Sequence, residues 1–219
     1  MITAKLLRAV GANPENAKIY APLLEAARVV PGDDFATISS SRGVAMLVSQ
    51  LSHESGHYST LSENLNYSVA ALSTGNRSRY FTAEQAQKLG YLRYPGGRGF
   101  RVADQKAIAN LYYGSRLGNF GVLTDDGWNF RGAGLIQLTG RSNFTAFGKS
   151  IGMTAEEAAD FARTPKGAVI SALWFWRTNG LLVPASRGDV TRCTEIIQGA
   201  DAGLASRIAL YQAARTELG

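Results

Sequence analysis

Apolar residues recur at helical spacing along most of the chain. The clearest example is the segment 43–55, where Val44, Leu47, Val48 and Leu51 follow the i, i+3, i+4, i+7 rule and define one buried stripe. The same spacing, with residues that start or stop helices, predicts further helices at 3–10, 17–29, 104–113, 155–162 and 165–179, and helices opened by Thr82, Asp189 and Asp201. The pattern therefore predicts a mainly helical protein.

Glycine, proline and polar residues mark the connections between these helices. They predict loops at 59–68, 94–99 and 118–127, with short β pairing around 61–67, and a loop after residue 32 that Asp33 or Asp34 closes. No repeat or linker interrupts the pattern. We interpret residues 1–219 as a single domain.

Two glutamates lie close together in the sequence but in different predicted surroundings. Glu54 falls on the border of the buried stripe, near the end of its helix, with His53 on the opposite side. Burial and the negative end of the helix dipole both favour the protonated carboxyl that a general acid needs. Glu63 falls in a polar loop between Asn64 and Asn66, where exposure favours the ionised form that a base needs.

Composition and charge limit the classes of protein to which the chain can belong. The chain has 219 residues, 45% of them hydrophobic, a net charge of +6 and one cysteine, Cys193, which we expect to be a buried apolar residue. No apolar run reaches the length of a membrane span, and the N-terminus shows no secretory leader. The basic residues are scattered, which is untypical of nucleic-acid binding but would suit attraction to an acidic wall polymer.

A glycine-rich stretch, residues 127–143, offers a second group of candidate residues. Three glycines within eight positions would permit close approach of a ligand to the backbone. Gln137, Thr139 and Asn143 supply groups that can hydrogen-bond sugar hydroxyl and acetamido groups. The stretch lacks the lysine of a phosphate-binding loop. Trp174 and Trp176 are interpreted as core residues, although tryptophan also stacks on sugars.

Four ordered blocks resemble glycoside hydrolase family 19, the chitinase-like family that includes phage endolysins of lysozyme-like fold. The similarity covers residues 43–211. The blocks are His53-Glu54-Ser-Gly, Glu63-Asn-Leu-Asn-Tyr-Ser68, the stretch from Phe130 to Asn143, and Ala172-Leu-Trp-Phe-Trp176. The resemblance implies a mainly helical, lysozyme-like fold, with a cleft between a larger helical lobe and a smaller lobe. We therefore expect residues 1–219 to form a single catalytic domain without a separate wall-binding domain.

The resemblance also implies roles for particular residues. Glu54 would be the general acid, Glu63 the general base, and Thr139 would hold the attacking water. The residues that would bind sugar are Gln137, Asn143, Gln198 and Arg207. Gln198 departs from the family, which usually has asparagine there, and Ala133 stands where many relatives have arginine. The family inverts, which predicts a carboxyl separation of roughly 6.5–9.5 Å.

Two other functions are compatible with parts of the sequence. His53-Glu54-Ser55-Gly56-His57 satisfies the H-E-x-x-H pattern of zinc peptidases. The chain has no third histidine, Arg77 stands where one peptidase class has its ligating glutamate, and Gly56 weakens the helix. We therefore expect no metal and no cofactor. A glycan-binding module without catalysis is the second alternative, and the presence of both glutamates argues against it.

The expected function is hydrolysis of β-1,4 bonds in bacterial peptidoglycan by a phage-type endolysin that lyses the host. Chitin is the alternative substrate, and a bacterial toxin the alternative role. The enzyme is expected to be a monomer without nucleic-acid partners or membrane insertion. It would be made in the host cytoplasm and would reach the wall through a membrane permeabilised by another protein.

Overall fold

The computed structural model describes residues 1–33, 36–97, 99–200 and 203–219. This part of the chain is mostly helical, as the sequence predicts. Its helices are, in chain order, α1 (Ala4–Ala9), α2 (Pro14–Ala27), α3 (Ser41–Glu54), α4 (Val69–Ser73), α5 (Ala83–Leu89), α6 (Gln105–Tyr113), α7 (Asp126–Asn129), α8 (Arg141–Ile151), α9 (Ala155–Ala162), α10 (Pro165–Thr178), α11 (Leu182–Arg187), α12 (Val190–Gln198) and α13 (Leu204–Leu218).

Most predicted helix starts are confirmed, because the capping residues act locally. The side chains that accept a hydrogen bond from the first turn include Thr3, Thr82, Asp104, Thr164 and Asp189. The predicted start at Asp201 lies outside the described residues, and α13 begins at Leu204. Asp33 accepts a hydrogen bond from the Ala36 amide and so closes its loop, whereas Asp34 lies outside the described residues.

The structure adds a hairpin to one predicted loop and corrects the β pairing predicted for another. Short strands β1 (Leu92–Arg93) and β2 (Phe100–Arg101) pair antiparallel across the loop predicted at 94–99, with Leu92 opposite Arg101. Pairing near 61–67 is instead limited to isolated contacts, such as a parallel bridge between Ser68 and Tyr91. The hairpin strands are two residues long, too short for alternation to reveal them.

The chain divides into two compact units. The first unit consists of Met1–Leu61, Ala133–Gln137 and Asp160–Gly219, and the second of Ser62–Gly132 and Leu138–Ala159. Each unit is therefore assembled from separate stretches of the sequence. The interpretation of the chain as one catalytic domain stays a prediction.

The first unit is built around α3, which packs against α11 and α13. The predicted stripe of α3 is buried, but so is every residue from Gly43 to Ser52, which means that neighbours enclose the helix on all sides. Trp176 and Cys193 are buried as predicted, and burial raises the pKa of Cys193 to about 12. The buried positions of α13 are Arg207 and Ala214, while Leu204, Ile208 and Tyr211 are half-buried.

The second unit has its own apolar core. Its members come from α4, α5, α6 and the segments beside them: Leu65, Leu72, Phe81, Ala86, Leu89, Ala103, Ile108 and Ala109. Helices α6 and α7 approach closely at Gly127, where a Cβ atom would lie 2.3 Å from the carbonyl oxygen of Ala109. Glycine at this position therefore permits the close helix contact.

Within the described ranges, no helix combines the length and the apolar character needed to cross a membrane.

Candidate active site

Glu54 is the last residue of α3, and its side chain is 9% exposed. Its partner is Arg207 of α13, which is fully buried and donates from Nη2 to Oε1 of Glu54. Nη1 of the same guanidinium donates to Oε1 of the buried Gln50, one turn before Glu54 on α3. A buried arginine thus holds α3 to α13 at the candidate acid.

Gln198 reaches the same carboxylate from the end of α12. Its Nε2 lies 3.1 Å from Oε1 and 3.2 Å from Oε2 of Glu54. The amide that replaces the family's usual asparagine therefore contacts the candidate acid. Glu54, Gln198 and Arg207, which the sequence analysis selected, lie together in the first unit.

The expected surroundings of Glu54 need correction. The sequence predicted a carboxyl that burial and the helix dipole keep protonated. The Arg207 guanidinium is a full positive charge in direct contact with the carboxyl group, a neighbour that the predicted surroundings did not include. Periodicity could not anticipate a counter-charge from a helix that begins 150 residues later in the chain. The general-acid role of Glu54 stays a prediction.

The two histidines are held by different neighbours. His53, which we expected on the side of α3 opposite to Glu54, also reaches α13, with Nδ1 3.3 Å from Oγ of Ser206. His57 lies beyond the end of α3 at φ 61°, and its Nδ1 is 2.9 Å from Oγ of Ser52. The H-E-x-x-H pattern is therefore not presented on one helix, as a zinc peptidase requires.

The side chains needed to bind a metal ion are also not grouped together in the part of the chain that the structure describes. No group of three or more His, Cys, Asp or Glu side chains there is arranged to hold a metal ion.

Glu63 lies in an irregular segment of the second unit and is half-buried, not exposed as predicted. The Tyr113 hydroxyl lies 2.8 Å from Oε1 and 3.0 Å from Oε2, and the Gly132 amide donates to Oε2 over 3.2 Å. Asn64 and Asn66, expected to surround the carboxylate, accept hydrogen bonds from backbone amides instead. Specific donors thus hold a carboxylate that we had expected to be surrounded by solvent.

Tyr113, at the end of α6, is well suited to remain a donor. Burial and the negative charge of Glu63 raise the pKa of its hydroxyl well above the usual range. The hydroxyl therefore stays protonated at neutral pH and can hold the Glu63 carboxylate in one orientation.

Replacing Tyr113 by phenylalanine should lower kcat for glycan hydrolysis by about tenfold, because a hydrogen bond to a charged group is lost. Initial rates on a soluble glycan would measure the effect. Tyr80→Phe, which removes a hydroxyl elsewhere in the same unit, is the control. Equal rates for the two variants would contradict a positioning role for Tyr113.

The glycine-rich stretch has a structural explanation that differs from the predicted one. A Cβ atom at Gly134 would lie 2.8 Å from Oγ of Ser171, and one at Gly140 would lie 2.3 Å from Cβ of Leu117. Both glycines also have positive φ angles. They permit close packing and tight turns within the protein, whereas we had expected close approach of a ligand.

The polar residues of this stretch fall in both units. Gln137, in the first unit, has φ 52°, and its Nε2 donates to the carbonyl of Gly134 over 2.9 Å. In the second unit, Nδ2 of the exposed Asn143 donates to the carbonyl of the half-buried Thr139 over 2.8 Å. The first unit thus holds Glu54, Gln137, Gln198 and Arg207, and the second holds Glu63, Thr139 and Asn143.

Comparison of the sequence with known proteins decides the family. No protein-family model matches the chain. A protein of Haemophilus influenzae, named glycosyl hydrolase family 19 domain-containing protein, is 37% identical over 169 residues, which are 77% of this chain and 76% of the relative. The chain belongs to glycosyl hydrolase family 19. It is therefore a chitinase-like glycoside hydrolase, as the four sequence blocks predicted.

Solved structures of family 19 enzymes share the fold. A bacterial family 19 chitinase superposes with a TM-score of 0.57 at 19% identity, over 100% of this chain and 95% of that one. Chitinase C from Streptomyces griseus superposes with a TM-score of 0.57 at 18% identity, over 100% of this chain and 92% of that one. The predicted mainly helical, lysozyme-like fold class is confirmed.

Sequence reasoning missed two residues that support the family 19 glutamates. Gln50 could have been found, because it lies four positions before Glu54 and interrupts an apolar run on the same helix. Tyr113 gives no local signal, since it is fifty positions from Glu63 and its contact depends on how α6 packs.

Proposed function

We propose that this family 19 enzyme is a phage-type endolysin that hydrolyses β-1,4 bonds of bacterial peptidoglycan. The proposal rests on one observation: two carboxylates are each held by their own hydrogen-bond donors. Arg207 and Gln198 hold Glu54, while Tyr113 and the Gly132 amide hold Glu63. A pair of fixed carboxyl groups is what glycoside hydrolysis requires.

In the proposed reaction, Glu54 protonates the oxygen of the leaving sugar and Glu63 removes a proton from water. The water oxygen attacks the anomeric carbon as the glycosidic bond breaks, which inverts the configuration. Thr139 would help to hold the water, and Gln137 and Asn143 would bind sugar. Gln198 and Arg207, first assigned to sugar binding, contact Glu54 and would orient it.

Charge favours a wall polymer as the substrate. The stretches that form the second unit, residues 62–132 and 138–159, contain eleven basic and seven acidic side chains. They carry most of the net charge of +6. A basic protein is attracted to an anionic polymer such as a bacterial wall, whereas chitin is uncharged.

Chitin is the second candidate, because the solved relatives are chitinases. A bacterial toxin acting on walls would use the same chemistry. As an endolysin, the enzyme would act as a monomer, without a nucleic-acid partner. It would reach the wall after a separate protein has permeabilised the membrane.

The test is to incubate the enzyme with purified peptidoglycan and, in parallel, with chitin hexasaccharide. Mass spectrometry of the new reducing ends identifies the sugar released, and NMR of early products gives the anomer. Peptidoglycan cleavage with an inverted anomer is expected. Cleavage of chitin alone would overturn the choice of substrate, and a retained anomer would overturn the mechanism. Glycan binding without new reducing ends would indicate a binding module.

A further inference from the structure

The loop between α6 and α7 exposes several apolar side chains. We define the Phe120 loop as residues 117–123. Phe120 is 75% exposed and Leu123 is 100% exposed, while Leu117 and Val122 are each 43% exposed. Single exposed apolar residues are common on protein surfaces, but a group on one short loop is a candidate binding surface.

The Phe120 loop is held by specific contacts. The Phe120 amide donates to Oδ2 of Asp126 over 2.9 Å, and the carbonyl of Leu117 accepts from the Ser142 amide over 3.1 Å. Oδ1 of Asn119 accepts from the Arg141 amide over 2.9 Å. Leu117 itself has φ 55°, a conformation that is costly for leucine and persists only where the surroundings fix it. The loop is therefore positioned by the start of α8.

Arg141 fixes the orientation of the Phe120 ring. Its guanidinium carbon lies 4.4 Å from the centre of the Phe120 ring and 4.5 Å from that of the buried Phe130. The arginine is therefore held between two rings. Asp126 accepts from Nε and Nη2 over 2.8 and 2.7 Å, and Glu156 pairs with Nη1 at 2.9 Å. One face of Phe120 is thus backed by a fixed group, and the exposed area belongs to the rest of the ring.

We propose that Phe120 is a stacking platform for a pyranose ring of a β-1,4-linked N-acetylhexosamine chain. This subsite rests on the proposed function. A flat ring of fixed orientation matches the apolar C–H face of a sugar. The loop packs on the residues that follow Thr139, so candidate sugar-binding groups adjoin it along the chain.

Charge argues for a sugar and against a lipid surface. A loop that inserts into an anionic membrane gains from uncompensated basic charge beside its apolar side chains. Arg141, the cation beside Phe120, is paired with two carboxylates. Its hydrogen bonds lower the pKa of the Asp126 carboxyl, so this pair stays ionised at neutral pH. A neutral sugar can bind beside this paired arginine, because its binding does not depend on an uncompensated charge of the protein.

The test measures glycan binding without turnover. In a Glu54→Gln background, Phe120→Ala should weaken binding of the chitin hexasaccharide by about tenfold, measured by calorimetry. Phe120→Tyr should restore it. Leu123→Ala is the matched control, because Leu123 is more exposed on the same loop but has no ring to stack. Circular dichroism checks that each variant is folded.

Binding in this background does not depend on hydrolysis, so failure of the subsite can be separated from failure of the proposed function. Equal affinities for Phe120→Ala and its parent, or no binding of the hexasaccharide by the parent, would overturn the proposal. Co-sedimentation with phosphatidylglycerol vesicles tests the lipid alternative. Loss of vesicle binding in both Phe120→Ala and Leu123→Ala, with unchanged sugar affinity, would assign the loop to a membrane instead.

Discussion

Replacing Glu54 by glutamine is expected to lower kcat for glycan hydrolysis by about 10²–10⁴-fold, the usual contribution of a general acid. Glutamine has nearly the same shape and keeps an acceptor for Arg207 and Gln198, but it cannot donate a proton to a leaving sugar. The loss should appear mainly in kcat, because the contacts that bind substrate remain. Reducing-end release from peptidoglycan and from chitin hexasaccharide would measure it.

Two controls make this result specific to the candidate acid. Glu195→Gln changes an exposed glutamate on α12 and should keep full activity. The assays are run at a temperature where circular dichroism shows that the Glu54→Gln variant is folded. Loss of activity through unfolding is then excluded. Activity within twofold of the parent protein would remove Glu54 from the reaction.

The same variant separates the glycosidase from the zinc peptidase. A glycosidase should retain wall lysis in EDTA and lose it in Glu54→Gln. A zinc peptidase should lose lysis in both cases, because its glutamate is the general base and its metal activates the water. Lysis abolished by EDTA and restored by Zn²⁺ would favour the peptidase.

Features that depend on neighbouring residues could be predicted from the sequence. The cap residues Thr82, Asp104 and Asp189 open their helices as expected, because each bonds to an amide three positions ahead. The border position of Glu54 also follows from helical spacing alone. The family blocks supplied the candidate residues that no local pattern could select.

Features that depend on packing could not be predicted. Arg207 was expected to bind sugar, yet it is fully buried, and Glu54 and Gln50 of another helix accept hydrogen bonds from its guanidinium. Tyr113 approaches Glu63 only through the tertiary fold. Glu63 is half-buried and not exposed as predicted, since sequence polarity cannot reveal a hydrogen bond to a distant tyrosine.

Arg207 is expected to make the largest contribution to stability of any residue at the candidate site. Arg207→Met should lower the free energy of unfolding by about 3–5 kcal/mol, because it leaves the carboxylate of Glu54 poorly exposed and without its counter-charge. Gln50 would also lose its donor. Glu54→Gln should destabilise the protein as well, since it removes the negative charge beside the buried guanidinium.

A double-mutant cycle in urea would test this expectation. The variant that combines Arg207→Met with Glu54→Gln should be more stable than the sum of the two single effects predicts, because it leaves neither charge buried alone. The exposed pair Arg192–Glu195, whose side chains are 59% and 46% exposed, is the matched control. Arg192→Met should change the free energy of unfolding by about 1 kcal/mol or less.

Strictly additive single effects would contradict direct coupling between the two charges. An Arg207→Lys variant provides a further comparison, because lysine keeps the charge but cannot donate to Gln50 and Glu54 from one planar group. We therefore expect Arg207→Lys to retain only part of the free energy of unfolding. The difference from the parent protein measures how much the planar geometry of the guanidinium contributes.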